Sequence, residues 1–209
     1  MEHQPTSVAA AWSGGGSPYA VNSKKLGMWL FIVSDTLTFG ALLMAYSYLR
    51  AAHADWPTPF DIWPGVAFAT VMTGVLLSSS LTMVFAVAAA HAGNVAKAKK
   101  FLWATAFCGV LFIVLHLREW LHLIDEGVKP FSNPWGTPLF GATFFGITGL
   151  HMTHVAIGVI YLLIVSSRFG KPGRVRAEDV EVSGLYWHFV DLVWMFVFPL
   201  VYLMSVKMD

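Results

Sequence analysis

The sequence is poor in charge and in cysteine, and it carries almost no excess of either sign. Only 12% of its 209 residues are Asp, Glu, Lys or Arg, about half the share of an ordinary soluble domain. A soluble globule of this length would be short of polar side chains for its surface. The single cysteine, Cys108, has no intrachain partner and lies in an apolar run, which excludes a disulfide-stapled secreted module. A net charge of +1 leaves no broad basic surface, so nucleic acid is not an expected partner. Also missing are a phosphate-cradling glycine loop, a nucleophile beside its base, and a Cys/His metal set. What is abundant is apolar: 56% hydrophobic residues, with 16 Phe and 9 Trp, point to an integral membrane protein.

Crossing a bilayer takes about 20 predominantly apolar residues, roughly 30 Å of helix. Five stretches qualify, at 26–48, 64–90, 101–124, 138–166 and 183–206. Helix-ending punctuation separates them, including Trp56-Pro57-Thr58-Pro59, Gly93-Asn94, Asn133-Pro134-Trp135-Gly136 and Gly170-Lys171-Pro172-Gly173. The sequence therefore predicts an all-α membrane protein, with residues 23–209 forming one five-helix bundle with short loops. Residues 1–22, with Gly14-Gly15-Gly16 and no basic start before an apolar core, read as a flexible arm and not as a signal peptide. No motif repeats internally, so an inverted-repeat transporter gains no support.

Lys and Arg beside the spans are distributed nine to three. Lys24, Lys25, Lys97, Lys99, Lys100, Arg168, Lys171, Arg174 and Arg176 face Arg50, Lys129 and Lys207, with Arg118 inside a span. The positive-inside rule then predicts a cytoplasmic amino terminus and a carboxyl terminus outside. Trp29, Trp56, Trp63, Trp103, Trp120, Trp135 and Trp187 fall near span ends, as interfacial anchors do.

Ionisable groups inside hydrocarbon cost a few kcal/mol each by insertion scales, so each is a functional or assembly hypothesis. Asp35 sits about 14 Å into the first span. It serves either an interhelical hydrogen bond or a polar or lipid-filled crevice. The third span carries His116, Arg118, Glu119 and His122, where Arg118 and Glu119 both come within one turn of His122. A charge-compensated structural network is the plainer reading. His151 and His154 stand three apart in the fourth span, beside Gly141, Gly146, Gly149, Ala156 and Gly158, which let helices approach closely. Such a pair suits buried hydrogen bonding, and it could also supply haem or metal ligands. His188 and Asp191 share a face of the fifth span, either handling a proton or locking helices together.

The segment Tyr186-Trp187-His188-Phe189-Val190-Asp191-Leu192-Val193-Trp194 resembles the closing helix of subunit III of haem–copper terminal oxidases. Three further segments agree in order. Gly27 to Asp35 resembles that family's first shared helix, whose carboxylate is usually Glu. Phe112 to Trp120 resembles the helix in which a buried Glu precedes an aromatic residue, here Glu119 and Trp120. Gly141 to Phe145, followed by Thr148 to Val155, resembles the helix with a His pair. Mitochondrial-type members have seven helices; this chain, like many bacterial cytochrome c and quinol oxidase versions, lacks the first two.

The resemblance implies an accessory subunit of the bacterial cytoplasmic (inner) membrane with no cofactor of its own. Haem and copper are expected in partner subunits I and II, where oxygen is reduced. Subunit I is the chief expected partner and phospholipids are a second, with the chain stabilising subunit I and supporting proton uptake. On this reading Asp35, Glu119 and Asp191 are the proton-related buried carboxylates. His151, His154, His188, Arg118 and His122 form polar networks, and Arg168 is a lipid-phosphate site. Two alternatives stay open: a subunit III-like protein associated with nitric oxide reductase, and a b-type haem carrier ligated by His116 or His122 with His151 or His154.

Overall fold

The structure, a computed structural model, describes residues 23–171 and 175–207, so the arm 1–22 and Arg174 lie outside the described residues. Among the described residues five helices are long and apolar enough to cross a membrane. They are α1 (Ser23–Ala52), α2 (Ala67–His91, entered through a wider turn at Ile62–Val66), α3 (Val95–Asp125), α4 (Leu139–Arg168) and α5 (Ala177–Val197). The last continues through Phe198–Tyr202 and Leu203–Ser205. Among the described residues there is no β-strand, only isolated bridges between Phe60 and Val206 and between Lys129 and Ser132.

Two helices start six residues earlier than their apolar runs. α3 begins at Val95, where the Asn94 side chain accepts a hydrogen bond from the Lys97 amide at 3.0 Å. α5 begins at Ala177, where the Arg176 amide donates to Asp179 Oδ2 at 2.8 Å. Each extra turn is charged, capped and helical without being hydrophobic.

Four of the helices bury a seam of strict 3.5-residue period. In α2 it runs Ala69, Met72, Leu76, Ser79, Met83, Ala86, Ala90. In α3 it runs Ala98, Leu102, Thr105, Gly109, Phe112, His116, Glu119, Leu123. In α4 it runs Gly141, Phe144, Thr148, His151, Val155, Gly158, Leu162, Val165. In α5 it runs Val180, Ser183, Trp187, Val190, Trp194, Val197 and, past the helix end, Val201. A sustained heptad seam is the signature of left-handed bundle packing. Helices α2, α3, α4 and α5 close such a bundle in sequential contact, and α1 leans on α4 and α5 from outside. Accordingly α1 buries only Phe39 and Tyr46.

Of the small residues of α4, Gly149 and Gly158 let side chains of neighbouring helices come close, whereas Gly146 has nothing within 4 Å of a Cβ and Gly141 lies against the Lys129 carbonyl of the preceding loop. The Trp187 ring lies against both Gly158 and Gly109, so a Cβ at Gly109 would sit 2.5 Å from Trp187 Cη2, and one at Gly158 3.0 Å from Cζ3. Trp187 is therefore a core side chain, 1% exposed, and not an interfacial anchor. The early start of α5 is the reason, since it carries Trp187 well past the helix end. Trp29, Trp63, Trp103 and Trp135 are exposed, as anchors require.

Ion pairs gather one end of the bundle: Lys24 with Asp179 at 2.6 Å, Lys25 with Glu181 at 2.6 Å, and His91 with Glu181 at 3.5 Å. They join the start of α1, the end of α2 and the start of α5 on the basic-rich side. At the other end Ser205 meets Tyr46 and Arg50 at 3.0 Å each, and Lys207 pairs with Asp61 at 3.0 Å.

Candidate functional site

Three polar clusters interrupt the apolar bundle. In the first, His154 of α4 places Nε2 3.1 Å from Asp35 Oδ2 of α1, although the approach is too oblique for a good hydrogen bond. Its Nδ1 lies 2.8 Å from the Leu150 carbonyl. A carbonyl can only accept, so Nδ1 carries a proton and Nε2 is the atom turned to the carboxyl group. Tyr186 donates to the His154 carbonyl at 3.0 Å, tying α5 to the same turn.

In the second cluster, Ser80 of α2 donates to Asp191 Oδ2 at 2.6 Å and lies 3.1 Å from His188 Nδ1. A hydroxyl has one proton, so with that proton spent on Asp191 the imidazole is the donor to Ser80. His188 and Asp191 are therefore joined through a serine of another helix and not directly. The same α2–α5 seam carries two indole bonds, Trp187 to Ser79 at 2.9 Å and Trp194 to Thr73 at 3.0 Å. By helical rise Asp35 and Asp191 lie about 18 and 21 Å from the starts of their helices, a common depth with separate partners.

The third cluster lies toward the opposite end. Tyr202 donates to Glu119 Oε2 at 2.8 Å, and His116 Nδ1 stands 3.7 Å from the same oxygen. Pro199 has no amide hydrogen, and α5 widens there into a π-turn at Phe198–Tyr202 that leaves Tyr202 fully buried. His116 is also fully buried, and neither ring nitrogen has a hydrogen-bond partner. Its ring stacks on Phe112 at 5.6 Å and meets the edge of Trp194 at 5.5 Å. His151 meets the same two rings at 5.7 and 5.1 Å and spends Nε2 on the Val190 carbonyl at 3.1 Å. The two histidines thus share Phe112 and Trp194 as aromatic neighbours.

Three residues singled out in the sequence stand apart from these clusters. His122 is largely exposed and 3.6 Å from Glu126, because it lies one position off the buried seam that holds His116 and Glu119. Arg118 is exposed, with its guanidinium 5.7 Å from the centre of the Phe68 ring. Arg168 is exposed in the last turn of α4. Sequence reasoning missed Ser80 and Tyr202, each the hydroxyl partner of a buried carboxylate. Ser78-Ser79-Ser80 inside an apolar helix and Tyr202 soon after Pro199 were the available signals. Among the described residues no three His, Cys, Asp or Glu side chains are grouped to hold a metal ion.

Comparison with known proteins places this arrangement. The family model described as "Cytochrome c oxidase subunit III" matches residues 6–206. The chain is 35% identical over 186 residues to cytochrome c oxidase subunit 3 of Alkalihalophilus pseudofirmus, covering 88% of each chain. It is 32% identical over 208 residues to cytochrome c oxidase subunit 3 of Thermostichus vulcanus, covering 98% of this chain and 97% of the relative. It is also 32% identical over 181 residues to cytochrome bo(3) ubiquinol oxidase subunit 3 of Pseudomonas aeruginosa, covering 86% of this chain and 84% of the relative. A family match and relatives that both run nearly end to end leave one conclusion: this chain is a member of the cytochrome c oxidase subunit III family.

Proposed function

We propose that the chain is the accessory subunit III of a bacterial haem–copper terminal oxidase, a multi-pass protein of the inner membrane that packs on subunit I. Haem and copper belong, on this reading, to subunits I and II, and the electron donor to cytochrome c or a quinol. The carrying observation is the near end-to-end match to subunit 3 chains of both oxidase types. The buried polar groups support it, since Asp35, Asp191 and Glu119 each meet a side chain of another helix. The relatives carry oxidase names, which favours this assignment over a protein associated with nitric oxide reductase.

The amino terminus is cytoplasmic in this proposal, because the ends of the bundle tied by Lys24 and Lys25 are those with the excess of Lys and Arg. Asp35 then lies in the cytoplasmic half of its span and Asp191 at the middle of its own, and both support proton uptake and turnover stability of subunit I. Glu119 sits toward the outer face. Arg168, with Lys171 beside it, holds lipid phosphate at the cytoplasmic surface. The test is isolation of the tagged chain from membranes in mild detergent. A large haem-bearing subunit should copurify, and the chain separated from it should carry no stoichiometric haem, iron or copper. A Soret band retained by the separated chain would point to a haem carrier instead.

A further inference from the structure

We propose that Glu119 and His116 form a proton-binding pair that takes up and releases one proton through a water-filled cleft at the end of the bundle where α5 finishes. Its existence depends neither on the assignment to an oxidase nor on which end of the bundle is cytoplasmic.

The cleft lies between the entry to α2 and the last turns of α3. Its volume of about 310 Å³ is room for several water molecules, and a polar lining holds water where an apolar one stays dry. Asp61, Arg118, Glu119, His122 and Glu126 all line it. Most of these charges are already answered: Asp61 pairs with Lys207, His122 faces Glu126 at 3.6 Å, and Arg118 rests over the Phe68 ring. Glu119 is the lining carboxylate that leads inward. It stands six residues, about 9 Å, before the end of α3, and it is 7% exposed. Oε2 accepts from Tyr202, whereas Oε1 has no hydrogen-bond partner among the described residues and is not one of the sealed polar atoms. The oxygen left over is thus the one that water in the cleft reaches.

Behind Glu119 stands a base with no other task. His116 is fully buried and neither ring nitrogen has a hydrogen-bond partner, so it does not lock helices together through one. Nδ1 stands 3.7 Å from Glu119 Oε2, a separation that one water or a small swing of the carboxyl group closes. Stacking on Phe112 and the edge of Trp194 hold the ring in that place. The other titratable or charged groups that face the pair are Tyr202 from the end of α5, His151 of α4 across the shared aromatic rings, Asp61 before α2, and Arg118, His122 and Glu126 on α3 itself.

The step balances within the pair. Hydronium in the cleft gives a proton to Glu119 Oε1, and a turn of the carboxyl group brings it to His116. There the O–H bond breaks as the Nδ1–H bond forms, leaving a carboxylate beside an imidazolium, and reversal returns the proton to water. Tyr202 steadies the carboxylate with a charge-assisted hydrogen bond, and no electron moves.

The test is infrared spectroscopy of the whole complex in which the chain purifies, with the Glu119 signal taken as wild type minus Glu119→Gln. That difference should contain a protonated-carboxyl C=O band that falls as the medium is made alkaline and shifts as soon as the buffer is exchanged for D2O. His116→Phe keeps the aromatic stack and should change the pH range over which the band falls. Gly65→Leu puts a side chain at the cleft wall, where a Cβ meets nothing nearer than Phe60 at 3.9 Å. It should delay the D2O shift without lowering the melting temperature, and Gly65→Met repeats the block with a more pliant chain. A band that neither falls with alkali nor shifts in D2O would show a sealed structural carboxyl and overturn the proton site. So would the lack of any band at any pH, which would mark a permanently ionised group. An unchanged pH range in His116→Phe would refute the pair, and a prompt D2O shift in both folded Gly65 variants would refute the cleft as its route.

Discussion

Asp35 and His154 face each other across the α1–α4 contact with one proton's worth of freedom between them. Because Nδ1 of His154 already donates to the Leu150 carbonyl, the 3.1 Å contact at Nε2 can form a hydrogen bond only if a proton sits on Nε2 or on the carboxyl group. Moving it from one to the other converts an ion pair into a neutral pair. Asp35→Asn offers an N–H donor to a neutral imidazole and should preserve assembly, whereas Asp35→Ala leaves Nε2 without a partner and should loosen α1. If the pair supports proton uptake, Asp35→Asn should slow oxygen consumption or speed turnover-linked inactivation of the assembled oxidase. Unchanged turnover in Asn with failed assembly in Ala would make the residue structural only.

Packing around Trp187 predicts a graded glycine series. Gly109→Ala places a methyl group 2.5 Å from the Trp187 ring and 2.6 Å from Val159 Cγ2, both in the fully packed core. Overpacking of this kind costs about 1–3 kcal/mol. Gly146→Ala meets nothing within 4 Å, so the better helix propensity of Ala should leave stability unchanged or slightly raised. Thermal denaturation in one detergent should rank Gly109→Ala below wild type and Gly146→Ala at or above it. Equal melting would show that the close approach of α3, α4 and α5 at Trp187 is not what holds them.

Ser80 is predicted to matter more than its neighbours. Ser80→Ala strands Asp191, which is 6% exposed and whose Oδ1 already lacks a partner, and it also removes the acceptor of His188. Leaving a buried acceptor unmet costs about 1–3 kcal/mol. Ser78→Ala, by contrast, removes only an exposed bond to its own helix at Gly74 and should be near neutral. Melting temperature and retention of α5 contacts by hydrogen exchange would separate the two.

Orientation is open to direct measurement. In a Cys108→Ser background, Ala92→Cys in the α2–α3 turn should react with an impermeant thiol reagent only from the cytoplasmic side. Ser132→Cys between α3 and α4 should react only from outside. Both positions are exposed, so reversed labelling would invert the topology while leaving the bundle unchanged.

Helix number and order are legible in the sequence because hydrocarbon thickness imposes one length on every span. The starts of α3 and α5 are not, because the turns at 95–100 and 177–182 are helical for reasons of capping and charge, which hydropathy does not register. The site was half legible. Asp35, His151, His154, Glu119 and Asp191 stand out as polar atoms in apolar runs, yet their pairing did not follow from spacing. Glu119 has histidines at both i−3 and i+3, and only the seam running Ala98 to Leu123 selects His116 over His122. That seam was present in the sequence, and tracing its 3.5-residue period would have found it. The hydroxyl partners Ser80 and Tyr202 depend on which helices are neighbours, a property of the whole bundle that no single span carries.

The last prediction concerns Tyr202 and Glu119, a hydroxyl and a carboxylate that are buried together 2.8 Å apart near the end of the bundle where α5 finishes. Removing only the donor, as in Tyr202→Phe, leaves Glu119 with the oblique His116 contact at 3.7 Å as its nearest polar neighbour, and should cost about 1–3 kcal/mol. Glu119→Gln keeps the shape and still accepts from Tyr202, so it should cost less. Its amide can also donate toward His116, whose ring nitrogens lack partners. Once position 119 is neutral, Tyr202→Phe strands an amide in place of a carboxylate, which is the smaller penalty. The double variant should therefore be more stable than the sum of the two single losses, with a coupling of about 0.5–3 kcal/mol. A double-mutant cycle on thermal or denaturant unfolding in detergent measures this. Strict additivity would mean that the two side chains are neighbours in the fold without exchanging energy.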